Sequence, residues 1–92
     1  MKLDKILDID CIRTIHLIYS NGGELRFSEI AKTFASRSSL SACLRDLEEN
    51  KVIRRRVEVD EKPVKVYYSL TERGRRLGFH ISKLYRLIRE GK

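Results

Sequence analysis

Ninety-two residues are too few for two separately cored domains, and 41% hydrophobic against 36% charged residues is too apolar for a disordered chain. No apolar run approaches the roughly 18 residues of a membrane span, and Asp alternating with Ile near the N-terminus excludes the uncharged core of a signal peptide, so a cytoplasmic protein with no membrane partner is expected. The formal net charge of +7 is placed unevenly: residues 1–22 sum to zero and 23–50 to −1, whereas 51–70 carry +3 and 71–92 carry +5. A polyanion is the simplest partner for such an excess, and a solvated basic surface is the plainer alternative.

In chain order, the first predicted helix covers residues 3–20. Leu3, Ile6, Leu7, Ile9, Cys11, Ile12, Ile15, Leu17, Ile18 and Tyr19 exceed what one buried stripe requires. The surplus points to two buried faces, one on the core and one on a partner. Asn21-Gly22-Gly23 ends the helix, because glycine accepts the left-handed conformation found there. Glu24 to Phe27 reads as a short third strand beside a later hairpin. Ser28 is the expected N-cap of a second, short helix, with Ile30, Ala31 and Phe34 inward and Lys32 outward.

The third helix starts at Ser36, with Ser38 the alternative cap. Leu40, Cys43, Leu44 and Leu47 recur on one face. The opposite face carries Arg37, Ser38, Ser41, Ala42 and Arg45, which are short or basic. A helix entering the major groove needs short residues for close approach and arginine for base edges. An ordinary amphipathic helix with a polar outer face would show a similar pattern, and Asp46, Glu48 and Glu49 follow close behind.

After Asn50-Lys51 the period changes from helix to strand. Ile53, Val57 and Val59 alternate with Arg54, Arg56 and Glu58, while Arg55 interrupts the apolar side, with a bridge back to a helix carboxylate as one reading and no firm assignment. Asp60-Glu61-Lys62-Pro63 forms the tip. Val64, Val66, Tyr68 and Leu70 then alternate with Lys65, Tyr67 and Ser69. The hairpin is apolar towards the helices and cationic outward. Thr71 caps the last helix, in which Leu77, Ile81, Leu84 and Ile88 form a heptad-like seam. This helix either folds back on the first helix or pairs with its copy in a second subunit, and the spare apolar surface of the first helix favours pairing.

Cys11 and Cys43 are far apart, with no CxxC and no histidine at ligand spacing, and His16 and His80 are isolated. No metal site and no cofactor are expected. The cysteines read as small buried side chains, with a thiol sensor as the alternative. No nucleophile–base pair and no glycine-rich phosphate loop is present, so an enzyme is the least favoured class.

Two runs carry a family resemblance. One is Leu40-x-x-x-Leu44-Arg45-Asp46-Leu47-Glu48-Glu49-Asn50-Lys51-Val52-Ile53-x-Arg55. The other is Pro63-x-x-Val66-x-Tyr68-x-Leu70-Thr71-Glu72-x-Gly74-x-x-Leu77. Over about residues 25 to 78 the chain resembles the HxlR group of winged-helix transcription regulators, and more loosely the MarR and PadR types. The broader likeness is to short archaeal-type or viral-type winged-helix proteins. The HxlR group usually has Gly-Leu-Ile where this chain has Lys51-Val52-Ile53. The resemblance implies a dimeric DNA-binding repressor or activator. It places Arg37, Ser38, Ser41, Ala42 and Arg45 on the recognition helix and Lys62, Pro63 and Lys65 on the wing.

The expected fold is mainly α with a small β-hairpin, a winged helix-turn-helix in one domain. Its parts are a first helix over 1–21, a helix-turn-helix over 24–50, a wing over 51–70 and a C-terminal dimerisation helix over 71–92. The expected function is sequence-specific binding of double-stranded DNA by a homodimer. Arg54 and Arg56 would add backbone charge to the wing, and Ile9, Ile12, Leu77, Ile81, Leu84 and Ile88 would form the dimer interface. A protein-interaction module and a non-specific architectural DNA coat are the rival readings, and no small-molecule ligand can be inferred.

Overall fold

The computed structural model describes residues 8–60 and 62–91. Among them the elements run α1 (Ile9–Ser20), β1 (Glu24–Arg26), α2 (Phe27–Ala31), α3 (Arg37–Glu49), β2 (Ile53–Glu58), β3 (Lys65–Leu70) and α4 (Glu72–Glu90). The strands form one antiparallel sheet in the order β1-β3-β2. This is a mainly helical winged helix-turn-helix, with the expected minor strand lying beside β3.

The first helix is shorter than its apolar pattern suggested. Asp8 is extended and its carboxylate accepts the Cys11 N–H at 2.9 Å, so it caps α1 and interrupts a helix running continuously from 3 to 20. Leu3, Ile6 and Leu7 lie outside the described residues. Cys11, Thr14, Ile15 and Ile18 face the core at helical spacing. The C-terminus closes as the sequence suggested: Gly22 and Gly23 have φ of +88° and +94°, and the Gly23 N–H donates to the Ile18 carbonyl at 2.9 Å.

Ser28 is not the cap of α2. The cap lies two residues earlier, at the extended Arg26, and the helix begins at Phe27. The Arg26 backbone N–H donates to Glu29 Oε1 at 3.1 Å, so a carboxylate reaching back from the first turn closes this end. At α3 the expected cap holds, since Ser36 Oγ accepts the Ser39 N–H and also bonds Ser38 Oγ at 2.8 Å.

Leu40, Cys43, Leu44 and Leu47 of α3 are all buried. They meet Ile15 and Ile18 from α1, Ile30 from α2, and Leu25, Ile53, Tyr68 and Leu70 from the sheet in one core. Each fully buried aliphatic chain is worth about 1.5–3 kcal/mol, so this cluster is what fixes α3 against the sheet. The apolar alternation of the hairpin does not continue to its tip. Val59 and Val64 are 68% and 55% exposed, because β2 ends at Glu58 and the wing runs past the helices beneath it.

A tight junction joins α3, the wing and α4. Lys51 has φ of +59°, its N–H donates to the Glu48 carbonyl at 3.0 Å, and the Val52 N–H donates to Leu47 at 2.9 Å. This is the left-handed closure that glycine usually makes, secured by buried Leu47 and Val52. Thr71 Oγ1 donates to the Lys51 carbonyl at 2.6 Å and accepts the Gly74 N–H at 3.1 Å. A Cβ on Gly74 would collide with the Val52 carbonyl oxygen, so the glycine is what lets α4 lie this close.

α4 packs on α1 of its own chain. A Cβ on Gly78 would come within 2.6 Å of the Tyr19 ring, and the rings of His16 and Tyr85 are 4.0 Å apart. The heptad-like seam is therefore divided. Leu77 and Ile81 pack against the core, whereas Leu84, Leu87 and Ile88 stay exposed. The helix does not choose between its own chain and a partner; it packs in cis along one part and leaves an apolar strip on the rest.

Candidate nucleic-acid interface

Helical geometry sets which α3 residues face outward. With Leu40, Cys43, Leu44 and Leu47 buried, Arg37, Ser38, Ser41, Ala42 and Arg45 fall on the other side, and all five are exposed. Their side chains are short except at the two arginines. The outward face is thus low in the middle and cationic at both ends.

Two open grooves border that face. The larger, about 920 Å³, lies between the α2–α3 turn and the wing, and its walls include Ser28, Lys32, Ser36, Arg37, Pro63 and Val64. The second, about 400 Å³, lies between α3 and the sheet and is lined by Phe27, Ser41, Leu44, Arg45, Glu48, Arg55 and Tyr68. The start of α3 therefore borders one solvent-filled space with Pro63 and Val64 of the wing, and Ser41 and Arg45 border another with Arg55. Lys62 and Pro63 at the tip are exposed, Lys65 is half-buried, and Glu61 lies outside the described residues.

The wing arginines have different surroundings. Arg56 is held on the outer sheet surface: its Nη1 is 2.6 Å from Glu58 Oε2, its Nη2 is 3.3 Å from Glu24 Oε2, and its guanidinium lies 4.4 Å from the Tyr67 ring centroid. Its charge is already answered by two carboxylates. Arg54 stands at the start of β2 in a groove with Lys51 and Arg73, where Glu48 and Glu72 supply some opposing charge. Arg55, left without an assignment by the sequence, is the arginine that shares a groove with the outer face of α3. The signal was in its parity with Ile53 and Val57, which places it on the helix side of the sheet. Lys32 and Ser28 were likewise outside the expected set, and only the folded geometry brings them to the first groove.

The cysteines meet across 32 positions of sequence. Both are buried, Thr14 Oγ1 lies 3.5 Å from Cys43 Sγ, and Cys11 Sγ lies 4.0 Å from the Cys43 carbonyl oxygen. The hydrogen bond to Cys43, together with burial, pushes the Cys11 thiol far up, so it stays protonated at neutral pH. Hydrogen bonds from Cys11 and Thr14 lower the Cys43 thiol against an opposing effect of burial. The His16 imidazole is held below its ordinary value by burial and by Arg89, which favours the neutral ring. Among the described residues no group of His, Cys, Asp and Glu could hold a metal ion, and no helix is long and apolar enough to cross a membrane.

Three comparisons bear on this arrangement. Residues 13–91 match the model of a family described as HxlR-like helix-turn-helix. The HTH-type transcriptional regulator YodB of Bacillus subtilis strain 168 is 42% identical over 62 residues, which is 65% of this chain and 53% of YodB. The chain thus spans about half the length of that curated relative. The crystal structure of diamide-treated YodB superposes with a TM-score of 0.70 at 29% identity, covering 95% of this chain and 85% of that one. A putative transcriptional regulator, ytfH from Salmonella typhimurium, shares the fold with a TM-score of 0.78 at 24% identity, over 95% of this chain and 77% of its own.

Proposed function

The chain belongs to the HxlR-like helix-turn-helix family of transcription regulators, and on that premise we propose that it binds duplex DNA sequence-specifically as a homodimer. The observation that carries this reading is the outer face of α3. Arg37, Ser38, Ser41, Ala42 and Arg45 are exposed together, with a helix N-terminus behind them and basic grooves on either flank. Such a face suits the major groove: the small residues let the backbone approach, and Arg45 can reach guanine O6 and N7 with two hydrogen bonds. Lys62, Pro63 and Lys65 of the wing would lie along the sugar-phosphate backbone. Arg54 adds charge there, and Arg56 contributes less because Glu24 and Glu58 already hold it.

The homodimer reading rests on apolar surface that the chain does not cover itself. Ile9, Phe79, Leu84, Leu87 and Ile88 are all at least 45% exposed. Ile12, Leu77 and Ile81, expected in the same interface, are half-buried within the chain and would form its inner margin. A two-fold pair would set two α3 helices about 34 Å apart, one turn of DNA, and would favour a palindromic site.

The test is Arg45→Ala in the full chain, titrated against a duplex selected from a random library and against random duplex. Arg45 is exposed, so the fold should survive. Loss of one bidentate base contact should weaken the selected duplex by about 1–3 kcal/mol and narrow its advantage over random sequence. An unchanged preference would remove Arg45 from base recognition.

A further inference from the structure

Arg54, Arg55 and Arg56 are consecutive in β2, and the pleat of the strand separates them. Arg54 and Arg56 pair with Ser69 and Tyr67 on the outer surface of the sheet. Arg55 pairs with Tyr68, whose ring is buried against the core, so the Arg55 side chain leaves the sheet on the side where α3 lies. It remains exposed there, on the wall of the groove whose opposite wall is Ser41, Arg45 and Glu48 of α3. The floor of that groove is Phe27, Leu44 and Tyr68, and none of these offers a charge to a cation. Among the described residues Arg55 forms no ion pair, whereas its neighbour Arg56 forms two. Two guanidiniums against the single carboxylate of Glu48 leave this groove cationic, and the groove on the other side of Arg55 sets Lys51, Arg54 and Arg73 against Glu48 and Glu72.

Resting on the DNA-binding reading above, we propose that Arg55 seats a backbone phosphate of the duplex in this groove, beside the strand whose base edges Arg45 reads. The planar guanidinium fork fits a phosphate bidentately, and the Ser41 hydroxyl on the facing wall can supply a further donor. Pairing with Tyr68 in β3, two residues on from Ile53, which is 2% exposed, fixes the point and the side from which Arg55 leaves the sheet. A phosphate is present at every base step. Arg55 therefore contributes affinity to all duplexes alike and fixes how deep and in what register α3 enters, while sequence preference stays with Arg45.

The experiment is a salt series of anisotropy titrations on the full chain, with the selected duplex and a random duplex, for wild type, Arg55→Gln, Arg55→Lys, Arg56→Gln and Arg45→Ala. Arg55→Gln should weaken both duplexes by a similar factor, about five- to tenfold, and lower the slope of log affinity against log salt by about one phosphate, roughly 0.9. Arg55→Lys should keep the slope and recover part of the affinity. Arg56→Gln should lower the slope by less than Arg55→Gln does, because Glu24 and Glu58 already hold that guanidinium. If Arg55→Gln keeps the wild-type slope while Arg45→Ala still loses its preferred site, the seat is wrong and the DNA reading stands. If wild type itself shows no salt-dependent binding to any duplex, the underlying reading fails. A lowered thermal midpoint with an unchanged slope would assign Arg55 to packing on Tyr68 and overturn the proposal.

Discussion

At the scale of single residues, the junction after α3 combines conformational cost with close packing. Lys51 occupies the left-handed region at φ of +59° with a side chain, a conformation that glycine adopts at less cost. A non-glycine residue there costs about 1–2 kcal/mol, partly offset because glycine has more freedom to lose on folding. Lys51→Gly should therefore raise stability by up to about 1 kcal/mol, read as a higher urea midpoint at an unchanged slope of free energy against urea. A lower midpoint would mean that the lysine side chain contributes more than its backbone costs. Gly74 and Gly78 show the opposite case. Their value lies in the missing Cβ, against the Val52 carbonyl in one place and the Tyr19 ring in the other. Gly74 stood out in the sequence through the Tyr-x-Leu-Thr-x-x-Gly run, whereas nothing near Gly78 announces that Tyr19, 59 positions earlier, will lie across it.

At the scale of elements, the sequence was most legible where one period and one cap agree. Ser36 with the Leu40 to Leu47 face gives α3, and Thr71 with its following helix gives α4. It was less legible at helix starts, where one carboxylate three residues away decides the boundary, and where distant segments decide the packing. Asp8 stops α1 because its carboxylate accepts a backbone N–H, although the apolar pattern runs on upstream. Glu29 moves the cap of α2 back by two residues, from Ser28 to Arg26, in the same way. The fates of Arg55 and Arg56 depend on what faces each side of the sheet, which alternation alone does not name. α4 is an instance of both: its seam was visible, but its division was not. At 19 residues it is about 28 Å long. Its first turns lie over the core that takes Leu77 and Ile81, and its later turns leave Leu84 and Ile88 at 51% and 63% exposed. Leu84→Glu should leave the secondary structure intact and convert a dimer into a monomer in sedimentation velocity, since it places a charge in the centre of the apolar strip. A variant that still sediments as a dimer would move the interface elsewhere.

At the scale of the whole molecule, the candidate DNA-binding face and most of the uncovered apolar surface lie on different elements, although α4 also carries exposed Arg75, Arg76, Arg86 and Arg89. The outer face of α3 and the grooves beside it collect Lys32, Arg37, Arg45 and Arg55, while the uncovered apolar side chains, apart from Val59 and Val64 of the wing, gather along α4 and at Ile9. That division is what a two-fold DNA-binding dimer requires: one surface to meet its copy and another to meet phosphate and base edges. The most direct test of this layout is Ala42→Glu, titrated on the selected duplex beside wild type. Ala42 is exposed in the middle of α3, and glutamate is a good helix former, so the thermal midpoint should not move. A carboxylate placed between the helix and the duplex should reduce affinity about a hundredfold. Wild-type affinity from a folded Ala42→Glu protein would show that DNA does not meet this face of α3.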